Sequence, residues 1–260
     1  MDEPAEHSGT AGTGLPASIE AAWGLRERPG RGPKRGLSLE RIVDAGVHVA
    51  ATEGLGAVSM SRVAAELGAA TMALYRYVAA KDELLELMVD AAYGPPPDPP
   101  APGEGWRAGL SRWAWAEHAA LRRHPWVVRV PISGPPATPN QVVWLEQGLR
   151  CLTATCLTEA AKMSVILLVS GFVRNEATLT ADIGAALASG ATAQEMMSSY
   201  GRLLAKLTDA QRFPALSAVI ASGVLDRADE PDDEFIFGLE RLLDGVDVLV
   251  RTYAGGDADR

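Results

Sequence analysis

SMSRVAAELGAATMALYRYVAAKDELL, residues 59–85, spells a helix, a tight turn, a second helix and the start of a third. Ser59 can cap the first helix by accepting from otherwise unpaired backbone N–H groups. Val63, Ala64 and Leu67 then make an apolar stripe at helical spacing. Gly68 sits where a helix ends and the backbone needs a left-handed residue. The second helix begins around Ala70 or Thr71 and carries Met72, Leu74, Tyr75 and Tyr77. Two helices joined by a short Gly-containing turn form a helix-turn-helix, whose second helix can enter the DNA major groove.

The flanks extend this reading. Ser38 precedes Leu39, Ile42, Val43, Val49 and Ala50, an amphipathic helix ending near Gly54, and Lys81-Asp82-Glu83-Leu84-Leu85 opens another that runs to about Tyr93. Residues 38–93 resemble the DNA-binding domain of the tetracycline-repressor (TetR) family of bacterial regulators. The resemblance rests on Gly54-Leu55, Ser59-Met60, Val63-Ala64, Leu67-Gly68, Leu74-Tyr75-Arg76-Tyr77-Val78 and Lys81-Asp82-Glu83-Leu84-Leu85, in order and at this spacing. One departure is Ala69-Ala70, where the family has Ser or Thr capping the recognition helix. Thr71 is expected to cap one residue late.

Net charge is −9, an unusual balance for a DNA binder, but the acid lies elsewhere. Residues 26–90 hold nine basic and nine acidic residues, and Arg26, Arg28, Arg31, Lys34 and Arg35 face Glu27 alone. A basic arm on a neutral module can still neutralise phosphates and release counterions. No apolar run is long enough for a membrane span, and no basic-then-apolar leader opens the chain, so a cytoplasmic bacterial protein is expected. Cys151 and Cys156, placed about one turn apart on a helix, do not form a disulfide framework. His7, His48, His118 and His124 show no metal-ligand spacing. With no nucleotide-binding glycine fingerprint and no Gly-x-Ser-x-Gly elbow, neither a cofactor nor an enzyme is expected.

Four parts follow. Residues 1–36, rich in Gly, Pro, Ala and charge, read as a disordered basic arm. Residues 37–93 are the helix-turn-helix domain. Residues 94–105, beginning Gly94-Pro95-Pro96-Pro97, read as a stiff proline-rich linker. Residues 106–255 read as a second helical domain, with helices at 106–123, 140–152 and 158–179. A capping box at Thr192 and Glu195 starts the next helix, which runs to Leu207. A short helix after Phe213 and a last one over 235–253 complete it. The fold class is all-α. The layout also resembles the subgroup with tetracycline-repressor-like C-terminal domains, through Gly105-Trp106-Arg107, His124-Pro125-Trp126, Gly171-Phe172, Arg212-Phe213-Pro214-Ala215-Leu216 and Phe237-Gly238-Leu239-Leu242-Leu243-Gly245.

Candidate DNA contacts are Arg35 in the arm, Thr71, Met72 and Ala73 toward base edges, and Tyr75, Arg76, Tyr77 and Lys81 toward phosphates or base acceptors. The two tyrosines are favoured by the family pattern; Leu74 and Val78 read as core. Arg62 is either a phosphate contact or a solvated charge. Trp106, Trp113, Trp115, Trp126 and Trp144 crowd into about forty residues, and ligand pockets are aromatic with a few placed polar groups. Trp113, His118, Trp144, Phe172, Asn175 and Glu176 are therefore candidate ligand contacts. Packing is the plainer role for His118, and a wet helix face for Asn175 and Glu176. The resemblance implies dimerisation through the long and final helices, with Met163, Leu167, Leu239, Leu242, Leu243 and Val246 as interface candidates. The expected function is a ligand-responsive repressor that binds palindromic operator DNA as a homodimer and is released by an apolar or aromatic inducer. The alternative is a small-molecule-binding protein or enzyme with a decayed DNA-binding module.

Overall fold

The computed structural model describes residues 16–25, 36–188, 190, 192–227, 230 and 232–256. Among these the regular structure is all helical. They form two compact units: the described residues of Met1–Asp98 with Arg129–Gln147, and those of Pro99–Val128 with Gly148–Arg260.

The first unit is built on α2 (Leu39–Glu53) and α5 (Lys81–Tyr93), with α3 (Met60–Glu66) and α4 (Thr71–Leu74) between them in sequence. Ser38 caps α2, its Oγ accepting from Arg41 N–H at 3.3 Å. Ile42, Val49, Leu84 and Met88 are buried along the α2–α5 contact. Gly46 makes the approach possible, since a Cβ there would fall 2.6 Å from Met88 Sδ. Burying each such side chain stabilises the unit by about 1.5–3 kcal/mol.

A helix not expected from the sequence, α1 (Ala17–Ala22), lies within the segment read as a disordered arm. Ile19 is buried against α2, Ser18 donates to Glu83, and Trp23 donates its indole N–H to the Ala137 carbonyl at 2.7 Å. The basic cluster with Arg35 falls outside the described residues.

Residues 129–147, read from the sequence as part of the second domain, pack in the first unit. The reason is Asp90, buried on α5. It accepts from the Asn140 side chain at 3.1 Å and from Gln141 N–H at 3.0 Å, at the start of α7 (Pro139–Cys151). Trp144 adds a hydrogen bond to the Gly94 carbonyl at 2.9 Å and an edge contact with Tyr93.

In the second unit α6 (Trp106–Arg123) and α11 (Asp233–Gly256) pack on each other and on α8 (Glu159–Leu187), which continues eight residues past the expected end at Leu179. Arg107 on α6 bridges to Glu240 and Asp244 on α11. The expected capping box is present, Thr192 and Glu195 closing the first turn of α9 (Ala193–Leu207). That helix packs on α10 (Pro214–Ala221) and the short turn Val224–Asp226. Cys151 ends α7 and Cys156 lies beyond it, so the two are not on one helix, and neither is in a disulfide.

Gly238 is the tightest helical glycine of this unit: a Cβ would fall 2.4 Å from Phe172 Cε2. The Phe172 ring is itself stacked on Phe235 at 5.5 Å. Gly238→Ala gains about 1 kcal/mol of helix propensity but overpacks a fixed ring, at about 1–3 kcal/mol. It should therefore lower stability in urea unfolding at fixed protein concentration. Gly184→Ala, on α8 with nothing within 4 Å of its would-be Cβ, should leave stability unchanged or raise it by up to about 1 kcal/mol.

Candidate nucleic-acid interface and effector unit

Ser59 caps α3, its Oγ accepting from Arg62 N–H at 3.1 Å. Gly68 has φ of 63°, the left-handed turn that lets the chain reverse. The start of the recognition helix differs from expectation. Ala70, not Thr71, stands at the N-cap of α4 and supplies no side-chain bond; Thr71 is the first helical residue. Backbone bonds close the turn instead, Ala69 N–H to Ala64 O at 2.9 Å and Ala73 N–H to Ala70 O at 2.8 Å. Leu74 and Val78 are fully buried and hold α4 to the unit.

The outward side chains fall into two groups. Met72, Tyr75, Arg76 and Lys81 are exposed, and Thr71 and Ala73 half-exposed. Arg62 and Tyr77 are engaged by the protein. The Arg62 guanidinium donates to both Glu53 oxygens at 3.1 Å from Nε and to Glu66 at 2.9 Å. The hydrogen bond from Arg62 holds the Glu53 carboxyl below its ordinary range, and the two carboxylates push Arg62 up. Arg62 is thus an ion-paired charge at the surface of the unit. Tyr77 donates its hydroxyl to the Leu37 carbonyl at 2.8 Å, tying the end of the recognition segment to the entry of α2. Lys81 opens α5, but Glu83 on the same turn already accepts the Ala79 N–H.

In the second unit, several of the aromatic residues pack around Phe235. The His118 ring lies on Phe235 at 4.1 Å and 10°, Trp115 meets Phe235 edge-on at 4.5 Å, and Phe172 stacks with Phe235 at 5.5 Å. Trp113 is buried where Gly148 leaves room, a Cβ there falling 3.0 Å from its ring. Trp144 does not join this group, being engaged in the first unit. Asn175 is exposed; Glu176 is half-buried, and burial followed by Glu234 pushes its carboxyl up. Sequence reading missed Glu117, buried one turn after Trp113 and accepting from Ser170 at 3.2 Å. It also missed Arg174, which donates to the Val127 and Val128 carbonyls at 3.4 and 3.2 Å. The signal was available as polar residues on apolar helical stripes.

Among the described residues of this unit, three buried polar atoms have no hydrogen-bond partner: His118 Nε2, His124 Nδ1 and Trp126 Nε1. An open groove of about 270 Å³ is lined by Trp115, His118, Ala119, Arg122 and Arg123. Arg122 pairs with Asp232 at 2.6 Å across its end.

The interface candidates divide by face. Leu239 and Leu243 are buried within the protomer, and Val246, also buried, lies at the floor of a groove between α8 and α11. Leu242 is half-buried. Met163 and Leu167 are exposed, Leu167 by 66%, as are Leu168 on α8 and Phe237 (62%) and Val248 (57%) on α11. Between these helices an apolar groove of about 320 Å³ is lined by Val165, Leu168, Leu242, Gly245 and Leu249 among others. Among the described residues no group of His, Cys, Asp and Glu is placed to hold a metal. None of the helices is long and apolar enough to cross a membrane.

Residues 42–88 match the family model of the bacterial regulatory proteins of the tetR family, and residues 99–250 match that of the tetracyclin repressor-like C-terminal domain. The chain belongs to the TetR family. It is 39% identical to the HTH-type transcriptional repressor DrrR1 of Streptomyces coeruleorubidus, across 96% of this chain and 92% of that one. An HTH-type transcriptional regulator of Saccharopolyspora erythraea is 29% identical over 59% of this chain and 64% of its own length. Among solved structures, the TetR-family protein ActR of Streptomyces coelicolor in complex with actinorhodin superposes with a TM-score of 0.70 at 27% identity. That match covers 83% of this chain and 99% of ActR. Apo ActR gives 0.69 at 25% identity, covering 87% and 100%.

The two unpaired histidines give this TetR-family chain a pH signature. Burial pushes both imidazoles below the ordinary 6.5, aided by Arg122 at His118 and by Arg123 at His124. Below pH 6.5 the unfolded chain takes up protons that the folded chain refuses. The stability they contribute is therefore complete above pH 6.5 and lost as pH falls through the depressed values. Urea unfolding should show a loss between pH 7.5 and 5.5 that His118→Phe reduces.

Proposed function

We propose that the chain is a ligand-responsive transcriptional repressor that grips a two-fold operator as a homodimer and releases it when an apolar, aromatic small molecule binds the second unit. The observation that carries this is the exposed recognition segment around Met72, Tyr75 and Arg76, held on a buried Leu74 and Val78, in one polypeptide with a ligand-type helical unit. A repressor related over nearly the whole chain, and ActR solved with actinorhodin, support it. Its place of work is the bacterial cytoplasm, on operator DNA.

The dimer is the reading that best accounts for α8 and α11. Each presents a second apolar stripe outside the protomer core, with Leu167 and Leu168 on one and Phe237 and Val248 on the other. A two-fold arrangement covers the same patch on both copies, and two recognition helices a helical repeat apart, about 34–36 Å, read more sequence than one. The effector reading rests on the aromatic stack and on the three unpaired polar atoms. A buried donor or acceptor without a partner costs about 1–3 kcal/mol. A ligand oxygen or hydroxyl reaching His118, His124 or Trp126 would recover part of that cost. Such a ligand acts only if it binds one dimer geometry better than the other.

Two tests follow. Leu167→Asp should give helical monomers by analytical ultracentrifugation and lose operator binding, whereas Leu243→Asp, placing charge in the protomer core, should unfold the unit. A Leu167→Asp chain that stays dimeric would sink the interface assignment. In the second test, actinorhodin serves as the probe. It should quench tryptophan fluorescence and raise the DNA concentration needed for binding, and Trp126→Phe should weaken both effects together. Quenching with undiminished DNA binding would remove the inducer role.

A further inference from the structure

Among the outward side chains of this helix-turn-helix, Thr71 and Tyr75 carry hydroxyls, Arg76 and Lys81 are cationic, and Met72 is a large apolar side chain that is 74% exposed. Arg62 is held by Glu53 and Glu66, and the Tyr77 hydroxyl by Leu37. At the turn and the start of α4 stand Ala69, Ala70, Thr71, Met72 and Ala73. Met72 is 74% exposed, at the second position of a helix whose buried anchor is Leu74. A methionine in water at that point forgoes the burial that most core methionines enjoy, and no side chain of its own unit covers it. The outward cations Arg76 and Lys81, on long stems, and the Tyr75 hydroxyl suit phosphate oxygens, which position a protein without reading sequence.

Among base edges in the major groove, the distinctive apolar group is the thymine 5-methyl. We infer that Met72, with Ala73 beside it, is a specificity-determining residue that reads thymine methyl groups in each operator half-site. The inference rests on the operator binding proposed above and adds the chemistry by which sequence is recognised. The thioether side chain is unbranched and polarizable, so it can settle against a methyl at the groove floor without exact complementarity. Recognition by methyl contact also fits the absence of a capping side chain at Ala70: the helix start brings small apolar surface, rather than a polar cap, toward the bases.

The full-length protein can be used to select binding sites from a randomised duplex library. The enriched duplexes should contain two-fold sites with thymine at matching positions of both halves. Replacing those thymines with deoxyuridine removes only the methyl groups and keeps every hydrogen-bonding edge. Affinity should fall about fourfold per half-site, the worth of roughly one buried methyl. The salt slope should not change, because no counterion is involved. Met72→Ala should bind the thymine and deoxyuridine duplexes alike, and Met72→Leu should restore the difference. Met72 is exposed, so circular dichroism should be the same for all three proteins. Equal affinity of the wild-type protein for both duplexes would overturn the inference while leaving operator binding intact. So would a difference that survives in Met72→Ala. Failure to enrich any site would overturn operator binding and the inference with it.

Discussion

The recognition helix, Thr71–Leu74, is a single turn, with no side-chain cap at its start. No such helix stands alone in water, since nucleating one turn fixes several residues for one hydrogen bond. Its direction is set by Leu74 and Val78, both buried, and by the Tyr77 bond to Leu37. Those residues sit on the frame made by α2 and α5, whose closeness depends on Gly46 meeting Met88. Whatever the exposed side chains do at DNA, this packing constraint aims them. The Arg62 fork to Glu53 and Glu66 ties α3 to the end of α2 and so steadies the other arm of the motif. These ion pairs are largely solvated, so their contribution is orientation more than stability.

The second unit follows a different rule. Its helices α6, α8 and α11 each bury one stripe against the others, centred on Phe235 and its stacked neighbours. Two features are left over after that core is built. One is the set of unpaired ring nitrogens at His118, His124 and Trp126. The other is the outward apolar face of α8 and α11. A monomer that only needed to fold would have little use for either, and both find partners if the unit takes a ligand and a second copy.

Much of this was legible in the residues. Ser38, Ser59 and the Thr192–Glu195 box marked helix starts because capping is local chemistry. Gly68 marked the turn because only its backbone conformation was at stake. The reading was blind where the answer depended on tertiary contacts. Helix α1 is too short to show a period, and it is held by Ile19, Ser18 and Trp23 docking on distant residues. The start of α7 joined the first unit through Asp90, a carboxylate that looks like any surface residue in the sequence. On α11 two apolar stripes coexist, and periodicity alone could not tell the buried Leu239, Leu243 and Val246 from the exposed Phe237 and Val248. The tryptophans were correctly seen as crowded in sequence, but Trp144 sits with Tyr93 and Gly94, apart from the Phe235 stack.

The central claim is that this TetR-family chain holds DNA with two recognition helices related by a two-fold axis. Hydroxyl-radical footprinting on a bound duplex tests it most directly. The account predicts two protected patches of matching sequence, in opposite orientation, about one helical turn or a multiple of it apart. A single protected patch, or protection spread evenly with no sequence symmetry, would contradict it.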